Sequence, residues 1–134
     1  MTRADAIVER ARSVVGARFR PQGREPALGL DCLGVAAFAA AVAPGVLPRR
    51  YTLRGEARAE IEHGLRRFGF EPVDVQSAAA GDILLAEAGP QQLHFAVHTG
   101  SGLVHADAGL RRVVERPLPC PWPIVGAWRS KGNE

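Results

Sequence analysis

Cysteine is scarce in this chain: Cys32 and Cys120 are the only two. One possible pair is not a disulfide framework, and nothing in the sequence places Cys120, within Pro119-Cys120-Pro121-Trp122-Pro123, near Cys32. Two free thiols are expected, as suits a protein made in a reducing compartment. Long apolar runs are missing too. Gly or Pro interrupts every stretch before it could span a bilayer, so no membrane insertion is expected. Asp5 and Glu9 stand where a signal peptide needs an unbroken apolar segment, which points to synthesis in the cytoplasm without one. No internal repeat or low-complexity segment is present. Nor is there a basic run with interleaved aromatics. A net charge of +3 and a pI near 9.5 are too mild for nucleic-acid recognition. They fit weak attraction to an anionic polymer, or simple solubility.

What is present is enough for one core. The 134 residues are 46% hydrophobic, which argues against disorder and supports a single domain over 1–134. The central stretch is Leu30-Asp31-Cys32-Leu33-Gly34, followed by an Ala-rich apolar segment up to Pro44-Gly45. That composition favours a helix stopped by Pro-Gly, with Asp31 as N-cap. It is apolar nearly all round and so belongs at the centre of the domain. Cys32 falls in its first turn, where unpaired N–H groups and the helix dipole favour a thiolate. The stretch reads equally as a buried structural cysteine.

The remaining elements follow in order. Thr2 and Asp5 have capping-box spacing, and Ile7, Ala11, Val14 and Val15 recur at helical intervals up to Gly16. Residues 20–29 and 44–55 read as irregular links. Residues 56–68 read as a helix with Ala57, Ile61, Leu65 and Phe68 on one face, and His63 on the opposite, solvated face. From residue 81 the pattern changes to short strands at 83–85, 93–99, 103–106, 112–115 and 124–128, separated by turns. Helices first and strands second imply an α+β domain with a mainly antiparallel sheet of about five strands.

Three histidines fall in the strand half. His94 and His98 share a strand face roughly 13 Å apart at about 3.3 Å per residue, so only one of them can meet the Cys32 sulfur. His105 lies on the next strand and can neighbour the working histidine. Cysteine as nucleophile, one imidazole as base and a second as orienter is the general triad arrangement. Sulfur plus imidazoles can instead hold zinc. However, a His-x-x-x-His spacing brings two ligands together on a helix rather than a strand, and Cys32 lacks a nearby cysteine partner.

The order of these pieces resembles the NlpC/p60 cysteine peptidases of bacterial cell walls. The matching segments are Asp31-Cys32-Leu33-Gly34, Gly81-Asp82-Ile83-Leu84, His94-Phe95-Ala96-Val97-His98 and Gly102-Leu103-Val104-His105-Ala106. Together they span nearly the whole chain. Leu33, and the closing segment ending in Gly126-Ala127-Trp128-Arg129, resemble a branch found among phage tail and gene-transfer-agent proteins. The resemblance implies a papain-like fold with Cys32 as nucleophile, His94 as base and His105 as orienter, and no cofactor or metal. The implied activity is hydrolysis of an amide bond in peptidoglycan stem peptides, commonly between γ-D-glutamate and a diamino acid. Phage-like tail proteins are the implied partners, carrying the protein to the cell wall. An acyltransferase or thioesterase on the same thiol scaffold, or a non-catalytic wall-binding module, are the alternatives. One departure concerns Gly16-Ala17-Arg18-Phe19, where the family has Gly-x-x-Tyr with a hydroxyl that helps form the oxyanion hole. Phe19 has no donor.

Overall fold

The computed structural model describes residues 2–42 and 58–131. Helix α1 (Arg3–Ser13) starts on the expected capping box. The Thr2 hydroxyl accepts from the Asp5 N–H at 2.9 Å, and the Asp5 carboxylate accepts from the Thr2 N–H at 3.1 Å. Ile7, Ala11 and Val14 are buried, but Val15 is 44% exposed because the helix already ends at Ser13 and the chain turns away. Residues 16–20 then act as a stitch. On one side the Gly16 N–H donates to the Val113 carbonyl (2.8 Å) and the Phe19 N–H to the Arg111 carbonyl (3.0 Å). On the other, the Leu30 N–H donates to the Arg18 carbonyl (2.8 Å) and the Arg20 N–H to the Leu30 carbonyl (3.1 Å). The expected loop over 20–29 contains a small hairpin, β1 (Arg24–Glu25) with β2 (Gly29–Leu30), which delivers the chain to Asp31.

Helix α2 (Cys32–Ala39) is buried over most of its surface. Asp31 is its N-cap and does more than cap. Its carboxylate accepts from the Gly34 N–H (2.9 Å), from the Gln22 N–H (2.9 Å) and from the Arg24 guanidinium (3.0 Å). One buried side chain thus ties the hairpin to the helix start. Gly34 permits the close approach: a Cβ there would lie 2.1 Å from the Gly23 carbonyl oxygen. The helix stops earlier than the Pro-Gly signal predicts. The Ala41 N–H donates to Phe38 and the Val42 N–H to Ala37, with Ala41 at φ +59°. That is a Schellman ending with alanine in the position glycine usually takes. The irregular link expected over 44–55, and Glu56 and Ala57, lie outside the described residues. Helix α3 (Arg58–Arg67) packs Ile61, Leu65 and the following Phe68 partly against the core, and His63 is exposed as expected.

Among the described residues the sheet has six antiparallel strands, in the order β3-β8-β4-β5-β6-β7, rather than about five. They are β3 (Phe70–Val73), β4 (Ile83–Gly89), β5 (Gln92–His98), β6 (Gly102–Asp107), β7 (Arg112–Pro117) and β8 (Ile124–Ser130). The strand that sequence patterning missed is β3, whose Glu71-Pro72 breaks the hydrophobic alternation. Among the described residues it pairs only with β8, and proline is tolerated on such an edge. Helices α1 and α2 cover one face of the sheet, where Ile83, Leu85, Phe95, Val97, Val104 and Val113 join the core that contains Cys32. On the other face Leu84, Ala96, Leu103 and Ala127 form a smaller cluster, against which Cys120 and Ile124 pack. The two cysteines therefore belong to clusters on opposite faces of the sheet, and both are free thiols.

Replacing Asp31 with Ala removes a helix cap and leaves the Arg24 charge and the Gln22 N–H without this acceptor. The expected loss is about 3 kcal/mol or more of folding stability, measured by chemical denaturation. A loss under about 0.5 kcal/mol would show that water replaces the carboxylate at no cost.

Candidate active site

Three elements build the site: the first turn of α2, strand β5 and strand β6. The last two part company. They pair at Val97 with Val104 and at His98 with Leu103, and pairing stops there. Carried further, the register would set Ala96 opposite His105 and His94 opposite Asp107. The His98 N–H donates to the Asp82 carbonyl on the β4 side. By alternation the N–H groups of Phe95 and Val97 face β6. At Phe95 no β6 rung exists, and its N–H acts on the Cys32 sulfur instead, favouring the thiolate. The nucleophile candidate thus lies on the helix side of the sheet by the residue that follows His94.

His94 and His105 meet across the opening where β5 and β6 part, with His94 Nε2 3.0 Å from His105 Nδ1. They are diagonal rather than directly opposed partners, and the rings lie edge to face with centroids 5.1 Å apart. One proton is shared between the two nitrogens. When it sits on His94 Nε2, the His94 Nδ1 lone pair is left to accept a proton, and His105 carries its own hydrogen on Nε2. His105 Nε2 is buried and has no hydrogen-bond partner among the described residues. His98 is kept apart: it is at the far end of β5, where its Nδ1 accepts from the Gly100 N–H at 2.9 Å and braces the turn into β6.

Sequence reasoning missed Trp122. Its ring stands edge to face against both imidazoles, 5.1 Å from His94 and 5.3 Å from His105. The signal was the rigid Pro119–Pro123 run: prolines on either side of an aromatic, between two strands of one sheet, hold that ring in a fixed place. The Arg116 guanidinium lies 6.0 Å from the centroid of the Trp122 ring, at the edge of cation–π range. Phe19 is partly buried in the core that includes Cys32, bridged to Leu30 just before the helix start.

Electrostatics correct one expectation. The Cys32 thiol is not lowered by its place at the helix start; burial pushes it up to about 12, and the nearby Asp31 charge adds to the rise. The N–H groups of Phe95, Leu33 and Cys32 pull the other way without prevailing. Burial likewise pushes His94 down to about 4, with His105 adding to the fall and Asp107 and Asp31 opposing it. His105 is lowered by burial and by Arg116, against Asp107 and the Ala106 backbone. Burial thus favours the neutral thiol and neutral imidazoles over a thiolate–imidazolium pair. Among the described residues, no group of three or more His, Cys, Asp or Glu is placed to hold a metal ion.

No protein-family model and no curated protein matches the sequence. Solved structures do match the fold. NlpC1 from Trichomonas vaginalis superposes with a TM-score of 0.72 at 16% identity, covering 96% of this chain and 44% of that one. The NlpC/p60 domain of the peptidoglycan hydrolase SagA gives 0.64 at 21%, covering 92% and 96%. The peptidoglycan hydrolase RipB from Mycobacterium tuberculosis gives 0.61 at 18%, covering 95% and 63%. The chain spans less than half the length of the two Trichomonas proteins it matches. Its α+β architecture is that of NlpC/p60 domains.

Two measurements test the buried, neutral state of the site. In the folded protein, iodoacetamide at neutral pH should modify half-buried Cys120 well before Cys32, as read by peptide mass mapping; faster labelling of Cys32 would show a resting thiolate. The second is acid unfolding. The folded pKa of His94 lies below its unfolded value, so its contribution to stability is present above about pH 6.5 and is lost as pH falls toward 4. His94→Asn should flatten the fall in melting temperature across that window, and an unchanged slope would place the acid sensitivity elsewhere.

Proposed function

We propose that this domain is a cysteine peptidase that hydrolyses an amide bond in peptidoglycan stem peptides. The observation that carries the reading is the His94–His105 contact at 3.0 Å, next to the strand residue whose N–H acts on Cys32. His105 engages His94 through Nε2, which leaves Nδ1 as the nitrogen available to the thiol. The NlpC/p60 fold and the names of two structural neighbours as peptidoglycan hydrolases support the choice of substrate.

The chemistry follows from a neutral resting pair. The Cys32 proton moves to His94 Nδ1 as the sulfur attacks the scissile carbonyl, so no free thiolate needs to accumulate in a dry site. Substrate binding must bring the carbonyl to the sulfur, where the N–H groups of Cys32 and Leu33 at the start of α2 are placed to hold the developing oxyanion. The bond to nitrogen then breaks, and His94 returns its proton to the leaving amine. Water, deprotonated by His94, cleaves the thioester and restores the thiol. His105 fixes the His94 tautomer and ring angle, and the Trp122 ring shields the pair from water. With Phe19 supplying no hydroxyl, backbone donors carry the oxyanion role.

The place of action in this reading is the bacterial cell wall, and delivery is by a phage-like tail or gene-transfer particle. Leu33 after the nucleophile and the closing Gly126-Ala127-Trp128-Arg129 support the delivery route through their resemblance to that branch.

The test is digestion of purified peptidoglycan with mass analysis of the released fragments. New amino termini on a diamino acid are expected. Cys32→Ala should abolish release, and His94→Ala should lower turnover on the order of 10³-fold or more. His105→Ala should fall between that loss and the small effect of His98→Ala. No fragments from intact protein, or a larger loss at His98 than at His94, would overturn the assignment.

A further inference from the structure

Arg116 is a charged group beside the imidazole pair with no acid paired to it among the described residues. Four other arginines make ion pairs: Arg12 with Glu115, Arg24 with Asp31, Arg58 with Glu62 and Arg129 with Asp82. Arg116 makes no ion pair among the described residues, and its Nε is buried there without a hydrogen-bond acceptor. The alternation of β7 explains the isolation. Glu115, the neighbouring residue, turns to the helix side, where Arg12 and the Thr99 hydroxyl (2.8 Å) hold it. Arg116 faces the other way, paired across β6 with Leu103, on the side that carries Trp122 and the His94–His105 contact. Its charge is felt at His105. Asp107, the acid that acts on both imidazoles, accepts from the Leu110 N–H in the β6–β7 turn at 2.9 Å. A half-buried guanidinium with an unanswered N–H is costly to keep. The contact with Trp122 offsets part of that cost and also holds the group in place.

We propose that Arg116 is a carboxylate-binding residue of the active site, taking an anionic group of the substrate next to the scissile bond. The fork of the guanidinium suits a carboxylate held by two parallel hydrogen bonds. This rests on the peptidoglycan reading for the identity of that carboxylate: a γ-linked glutamate keeps a free α-carboxylate on the same residue as the scissile carbonyl. Arg116 then selects stem peptides in which that group is ionised and disfavours those in which it is a carboxamide.

The probes are two tripeptides, L-Ala-γ-D-Glu-diamino acid with a free glutamate α-carboxylate, and the same peptide with a carboxamide there. Binding is measured by calorimetry on Cys32→Ala protein, so that no turnover is needed. The acid peptide should bind roughly ten- to hundredfold more tightly than the amide, and Arg116→Gln should remove that difference while leaving amide binding nearly unchanged. Equal binding of the two peptides with Arg116 in place overturns the proposal, as does a preference that survives Arg116→Gln. An equal fall for both peptides overturns it too, because that is what a merely structural role would produce. If Arg116→Gln does not fold, Arg116→Lys decides: a several-fold loss of preference is expected, and full preference overturns the proposal. Cleavage of both peptides by the Cys32 protein is read in parallel. Cleavage without preference defeats the carboxylate site alone, whereas preferential binding without cleavage defeats the hydrolase reading alone.

Discussion

The early parting of β5 from β6 is the constraint on which the site depends. Two rungs of ladder hold the strands at Val97–Val104 and His98–Leu103, and beyond them the backbone donors of β5 need other partners. The Phe95 N–H acts on the Cys32 sulfur. The same gap frees His94 and His105 to meet on a diagonal, which a continued ladder would resist by pairing His105 with Ala96. The stitch at 16–20 and the carboxylate of Asp31 serve the same end. They fix the start of α2 against the sheet so that the cysteine lies by Phe95.

Two effects compete at Cys32, and their sizes decide the outcome. A helix N-terminus favours a negative charge by about 0.3–1 kcal/mol, up to about 2 in partly buried settings. A rise from 9.0 to about 12 corresponds to about 4 kcal/mol in the other direction. Desolvation wins because the sulfur is enclosed in the core on the helix side of the sheet. The same burial lowers His94, so both partners rest neutral. A site of this kind holds its reactivity back until a substrate carbonyl and its oxyanion donors make charge separation favourable.

The sheet uses its two faces differently. One is a conventional core under α1 and α2. The other carries a small apolar cluster at the β4–β8 side and, toward β6 and β7, the imidazoles, Trp122 and Arg116. The proline-flanked segment between β7 and β8 closes over this second face, with Cys120 packed in the apolar cluster and Trp122 against the histidines. One loop thus completes both the core and the surroundings of the imidazole pair.

Much of this architecture was legible in residue order. Apolar periodicity placed α1 and α3, Ala-rich composition placed α2, short apolar runs between turns placed five of the six strands in the main sheet, and Asp31-Cys32 marked a capped helix start. His94 and His105 stood out as strand histidines that could be neighbours. Those features are local, set by backbone geometry and by which side chains tolerate water. Other features were not local. β3 was hidden because only an edge position makes its Glu71-Pro72 acceptable. The end of α2 fell on Ala41 because the turn there is set by its hydrogen bonds rather than by the Pro-Gly signal beyond it. The protonation of Cys32 could not be read from a helix start, since desolvation depends on everything packed around the sulfur. Trp122 and Arg116 reach the imidazoles through strand order and twist, which bring residues distant in the chain onto one face. By itself the sequence determined most of the elements and which residues have the chemistry; tertiary structure alone decided the edge strand, the protonation and the neighbours, because burial and cross-sheet proximity are properties of the packed whole.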